Sequence, residues 1–163
     1  IRERMLNQST LITGSDSDAV KAGVIKSRFG DVAVDAGKLL AFPRGLLGMP
    51  ERFSFVLANF PSPKMEQFKL LQSVDDAALS FITLPVEVKN PIIAGKDILD
   101  ACRDLQIDEK NLALLLIVSV HRTPDQVKLS VNARAPIMID AERRQGAQYV
   151  FQSDEYKVQH MLA

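Results

Sequence analysis

The residues of this chain that could do chemistry are few and scattered. Two histidines, His121 and His160, and one cysteine, Cys102, are its only imidazoles and thiol. A metal site needs several such ligands at loop or helix spacing, and neither histidine has another histidine or a cysteine beside it. His121 closes the most apolar stretch and His160 lies near the end of the chain, so both read as surface or turn positions. Cys102 would be a nucleophile only with a lowered pKa, and its neighbours Asp100, Arg103 and Asp104 are mostly of the wrong sign. Core packing is the better reading. The adjacent carboxylates Asp75 and Asp76 could hold a cation or share a proton, but after a strand such a pair more often shapes a turn. Gly45-Leu46-Leu47-Gly48 lacks the Lys-Ser/Thr of a phosphate loop and marks a closely packed turn. The sequence contains no G-x-S-x-G, H-E-x-x-H or C-x-x-C.

The segment Val131 to Asp140, VNARAPIMID, carries the other two candidates. Val127, Leu129, Val131, Ala133, Ala135, Ile137 and Ile139 alternate with Lys128, Ser130, Asn132 and Arg134, the pattern of a half-buried strand. Pro136 cannot donate a ladder hydrogen bond, so two strands must meet at a corner there. Asn132 and Arg134 then point outward beside the bend. They form either a binding surface or a structural pair, Asn132 bonded to nearby backbone and Arg134 a solvated cation.

The elements that would position these residues are mostly strands. VIKSRF, with a turn at Gly30 and Asp31, opens a hairpin, and a second turn follows at Asp35-Ala36-Gly37 before Lys38 to Phe42. FPRGLLGMPERF, residues 42 to 53, has two prolines and two glycines around an apolar pair and must be a shaped loop. Further strands are expected at Phe53 to Ala58, Phe68 to Ser73, Leu79 to Leu84, Leu112 to Val120, Gln126 to Ala133, Pro136 to Asp140 and Ala147 to Phe151. One helix, in GKDILDACRDLQI, places Ile98, Leu99, Cys102 and Leu105 on one side, and would lid an open end of the sheet. The expected fold is mainly β: a small antiparallel barrel-like domain over 24–163 with one short capping helix near residues 96–105, preceded by a flexible extension over 1–23.

Composition narrows the function classes. Twenty basic residues balance twenty acidic ones, so no net field draws the chain to nucleic acid or an anionic membrane. The phenylalanines fall inside apolar patterns, not among cations, which argues against direct RNA recognition. A lone cysteine fits a reducing compartment. The longest apolar run, Leu112 to Val118, is far short of a spanning helix, and the start of the chain lacks a secretory pattern. A cytoplasmic protein without cofactor, metal or small-molecule substrate is the expectation.

Taken in order, the motifs resemble one family, the flagellar assembly factor FliW. Ile25-Lys26-Ser27-Arg28-Phe29-Gly30-Asp31-Val32 is similar to its opening hairpin, and Phe42-Pro43-Arg44-Gly45-Leu46-Leu47-Gly48-Met49 to its F-x-x-G-[IL]-x-G-F loop. Leu71-Gln72-Ser73-Val74-Asp75-Asp76 and Leu79-Ser80-Phe81-Ile82 resemble its L-Q-S-x-[DE] and [LA]-F segments, and VNARAPIMID its N-L-x-A-P-[IV]-x-[IV]-N signature. Gly146 to Phe151, Tyr156 and His160 resemble its ending. Met49 and Ala133 depart from the usual Phe and Leu, and reduce apolar volume beside the loop and the corner.

The resemblance implies a non-enzymatic regulator that binds flagellin and also the RNA-binding translational regulator CsrA, coupling flagellin synthesis to secretion. Charge and exposure then nominate surfaces. Leu46, Leu47 and Met49 could rim an apolar groove for an amphipathic flagellin segment, or pack under the loop. Asp75, Asp76, Asp154 and Glu155 could form an acidic face toward the basic CsrA. The alternative is a small-ligand-binding or enzymatic β-barrel module with a polar interior lined by Asn132, His121 and the carboxylates.

Overall fold

The computed structural model describes residues 23–34, 39–51, 53–60 and 62–162. The expected extension therefore lies outside the described residues apart from Gly23, and so does the turn at Asp35-Ala36-Gly37. Strands β1 (Gly23–Ser27) and β2 (Gly30–Val34) form a separate hairpin. Its turn falls at Arg28 and Phe29, with Gly30 already in β2 at φ 103°, a conformation that favours glycine. The Arg28 guanidinium anchors it, donating from Nε to Ser80 Oγ at 2.8 Å and from NH2 to Ser80 O at 3.2 Å.

The remaining strands are β3 (Leu39–Ala41), β4 (Ser54–Asn59), β5 (Lys69–Ser73), β6 (Ser80–Val86), β7 (Leu112–Arg122), β8 (Val127–Val131), β9 (Ile137–Asp140), β10 (Gln145–Gln148) and β11 (His160–Met161). They pair in the order β11-β8-β7-β6-β5-β4-β3-β10-β9, and β9 returns to pair with β7. Seven strands, β3 to β7 with β9 and β10, thus close a ring, and the expected barrel-like architecture is present. The last expected strand is displaced: β10 ends at Gln148, and Tyr149 and Phe151 instead donate their amides to Pro136 O and Arg134 O.

Two apolar layers arise from strand alternation. Leu40, Phe42, Leu46, Phe55, Leu71, Leu115, Ile137 and Ile139 fill the ring. Leu114, Leu116, Val118 and Met138 face outward and are covered by helix α1 (Gly95–Leu105), whose Ile98, Ala101 and Cys102 are buried, together with Phe151 and Tyr156 of the C-terminal segment. The expected helix is present, and it lies along the outer wall; no helix residue joins the interior cluster. It ends at Gln106 in the left-handed conformation, with Gln106 N donating to Arg103 O and Ile107 N to Cys102 O. The C-terminal segment is strapped to the helix by Tyr156 Oη to Asp97 Oδ2 and Tyr149 Oη to Asp104 Oδ2, both 2.5 Å. Burial and the Asp97 bond push the Tyr156 phenol up, and the Asp104 bond does the same at Tyr149.

The corner in VNARAPIMID changes how its alternation must be read. β8 and β9 both pair antiparallel with the same edge of β7, through Val131↔Val118 and Ile137↔Leu115. Between those pairs, residues 132–136 (five) oppose residues 116–117 (two), an excess of three. Because side chains alternate strictly, an odd excess turns the next strand's side chains to the other face. Val131 and Ala133 belong to the outer layer, while Ile137 and Ile139 point into the ring. The single inward face expected from Val127 to Ile139 is therefore two faces, and Val127 itself is exposed.

The ring closes most thinly between β3 and β10, which share one parallel pair, Ala41↔Gln145. There the Phe42 ring covers Gly146, where a Cβ would stand 2.6 Å from Phe42 Cε2 and Cζ. Phe42 is fully buried and cannot yield easily. Gly146→Ala is expected to cost about 1–3 kcal/mol by overpacking, read as a lowered thermal midpoint, with part of the loss recovered when Phe42→Leu is added. An unchanged midpoint would show that the ring does not depend on this contact.

Candidate functional site

The candidate residues named from the sequence gather around one end of the ring. Register puts Ala41 opposite Ser54, Phe55 opposite Ser73 and Ile137 opposite Gln148, so the 42–53 loop, the β5–β6 loop and the 132–136 corner share that end. Gln148 fastens two of these segments together. Its Oε1 accepts from Leu47 N at 3.0 Å, and its Nε2 donates to Ala135 O at 3.1 Å.

In the 42–53 loop, Gly45 and Gly48 hold positive φ, and Leu46 and Met49 bond each other's backbone at 3.3 and 2.8 Å. The tight turn separates the apolar pair. Leu46 is 3% exposed and plugs the interior cluster, so its side chain supports the loop from beneath and offers nothing to a partner. Leu47 is 54% exposed, and Met49 is half-buried. Phe53, at the loop's other end, is also largely exposed; the sequence pattern hid it because it begins an apolar strand.

The β5–β6 loop is built by Gln72 and Ser73, which the sequence marks only as part of the L-Q-S-x-[DE] resemblance, without a role. Gln72 is fully buried, and its Nε2 lies 3.0, 3.1 and 3.1 Å from the carbonyls of Ser73, Asp76 and Leu79. Ser73 Oγ accepts from Asp75 N at 3.2 Å and Asp76 N at 3.1 Å, and Asp76 Oδ1 accepts from Ala78 N at 3.0 Å. A polar residue inside the apolar run FKLLQS was the available signal. Asp76 thus shapes the turn, while Asp75 is exposed.

At the corner, Asn132 is half-buried and its Oδ1 accepts from Ala135 N at 3.0 Å, the structural one of its two expected roles. Arg134 turns over the C-terminal strap, donating to Tyr156 O at 3.0 Å and Ser153 O at 3.4 Å, and pairing with Asp154 at 3.1 Å. Asp154 and Glu155 are exposed on that strap. With the fully exposed Asp154 as partner, the ion pair contributes little; the backbone bonds do most of the fastening.

Other reactive groups lie elsewhere. Burial pushes the Cys102 thiol up, as suits a core residue. His121 Nε2 is 2.8 Å from Ser130 Oγ, but Ser130 is 1% exposed, so substrate could not reach that hydroxyl. No cluster of three or more His, Cys, Asp or Glu that could hold a metal occurs among the described residues. Asn132 and His121 bond to separate neighbours, Ala135 N and Ser130 Oγ, and the ring interior is apolar at its centre. No helix among the described residues is long and apolar enough to cross a membrane.

The chain that builds this fold is similar to known proteins over most of its length. The model of one family, described as FliW protein, matches residues 23–162. The chain belongs to the FliW family. The flagellar assembly factor FliW of Geotalea uraniireducens is 30% identical over 137 residues, covering 84% of this chain and 82% of the relative. That of Oceanobacillus iheyensis is 32% identical over 134 residues, covering 82% and 88%. A crystal structure of the flagellar assembly factor FliW superposes with a TM-score of 0.63 at 27% identity, covering 85% of this chain and 96% of that one. These FliW relatives are assembly factors by name, and the shared fold places the motif residues of this chain on the same kind of scaffold.

Gln72→Leu keeps the volume but removes the donor shared by the loop carbonyls. It is expected to cost about 1–3 kcal/mol for the unsatisfied groups and to speed amide exchange at Asp75, Asp76 and Leu79. Unchanged exchange at those amides would mean the loop holds its shape without Gln72.

Proposed function

We propose that this flagellar assembly factor is a non-enzymatic cytoplasmic regulator that binds flagellin and, when flagellin is scarce, sequesters CsrA. The FliW family match over residues 23–162 carries the reading. The surface supports it: exposed Leu47 and Phe53 and half-buried Met49 offer apolar contacts, while exposed Asp75, Asp154 and Glu155 offer negative charge around the same end of the ring. An amphipathic flagellin segment suits the first group, and a basic RNA-binding protein suits the second. Two surfaces sharing one end give mutual exclusion a steric basis. A coupling of about 1–3 kcal/mol is enough to make such a switch useful.

Titrating flagellin into the preformed complex with CsrA tests this. Release of CsrA is expected, and Asp75→Lys should weaken CsrA about tenfold, or ~1.4 kcal/mol, with a smaller effect at high salt. Leu47→Asp should weaken flagellin and spare CsrA. CsrA remaining bound at saturating flagellin, or micromolar protein binding neither partner, would overturn the proposal.

A further inference from the structure

The far end of the ring is built differently. There the inward positions carry aliphatic side chains, Leu57 on β4, Pro85 on β6, and Ala113 and Leu115 on β7, and the outward-facing Leu112 and Leu114 of β7 line the same space. Leu57, Ala113 and Leu115 pack in the same interior cluster as the rings of Phe42, Phe55 and Phe81. A cavity of about 320 Å³ remains, open to solvent on one side and apolar along its walls. That volume lies at the lower end of the range of small-ligand sites.

Its rim is polar and charged. Lys69 alternates with Leu71 on β5, so it occupies an inward-facing strand position at the mouth, and it is half-buried there. Its Nζ donates to Asn59 Oδ1 across the β4–β5 pair, and no carboxylate pairs with it among the described residues. Glu87 also lines the mouth, but it lies beyond the end of β6 and is exposed. The hollow thus combines apolar walls with a rim cation that is hydrogen-bonded to an amide and paired with no carboxylate among the described residues. A ligand that carries an anionic head and an apolar tail satisfies both features at once.

We propose that this cavity binds a small aliphatic carboxylate, its tail against Leu57, Ala113 and Leu115 and its head on Lys69 Nζ. The site is separate from the loop end assigned to protein partners, and it stands or falls independently of that assignment. Titrating hexanoate, octanoate, octanol and octylamine into the full chain by calorimetry tests it. Octanoate should saturate one site, bind more tightly than octanol or octylamine, and exceed hexanoate by roughly fourfold per methylene. Lys69→Met should weaken octanoate at least tenfold and leave octanol unchanged. Ala113→Leu, filling the hollow, should abolish both while circular dichroism stays that of the parent. The absence of saturable octanoate binding, octylamine binding as tightly as octanoate, or a Lys69→Met variant with undiminished octanoate affinity would each overturn the proposal.

Discussion

One edge of β7 is the constraint on which the rest of the molecule depends. That edge must pair with β9 along Leu112–Leu115, to close the ring, and with β8 along Val118–Arg122, to extend the outer layer. A continuous strand would put every other residue of 127–140 on one face and serve only one layer. Residues 132–136, set against 116–117, break the alternation by an odd number, so a single stretch of chain supplies Val131 to one core and Ile137 and Ile139 to the other. Asn132 fixes the bend through Ala135 N, Pro136 stands where no donor is needed, and Arg134 pins the strap that covers the outer layer.

The functional end inherits its shape from this closure. Gln148 reaches from β10 to both Leu47 N and Ala135 O, so the apolar loop and the corner are braced against each other and not independently mobile surfaces. Gln72 does the comparable work under the β5–β6 loop. In each case a glutamine satisfies backbone groups and leaves the neighbouring side chains, Leu47 and Asp75, free to face outward. Binding residues on loops held by a rigid scaffold are the usual economy of such proteins.

Much of this was legible in the sequence because period carries it. The 3.6-residue stripe of Ile98, Leu99, Cys102 and Leu105 gave the helix, and short apolar runs at regular spacing with turn residues between them gave the strands at 53–58, 68–73 and 79–84, since both signals are local. What escaped was set by tertiary pairing. Leu46 and Leu47 are adjacent apolar residues, and only the turn between Gly45 and Gly48 decides that one is buried and one exposed. β11, two residues long, exists because β8 offers it an edge. The layer switch at the corner depends on how many residues of β7 it faces, a count no local pattern contains. Family motifs marked Asn132 and Pro136 as characteristic, while the hydrogen bonds show the corner's structural use.

The parity of the corner can be tested apart from its length. Deleting Arg134 alone leaves an even excess and should force Ile137 and Ile139 toward the outer layer; deleting Ala133 and Arg134 together leaves an odd excess and keeps them inside. Both variants lack the Arg134 clamp, and the double deletion also loses the buried Ala133, so a higher midpoint for it in thermal unfolding followed by circular dichroism reports parity against that extra loss. The shorter, doubly deleted chain is predicted to unfold at the higher temperature. A single-deletion variant at least as stable as the double one would contradict the account.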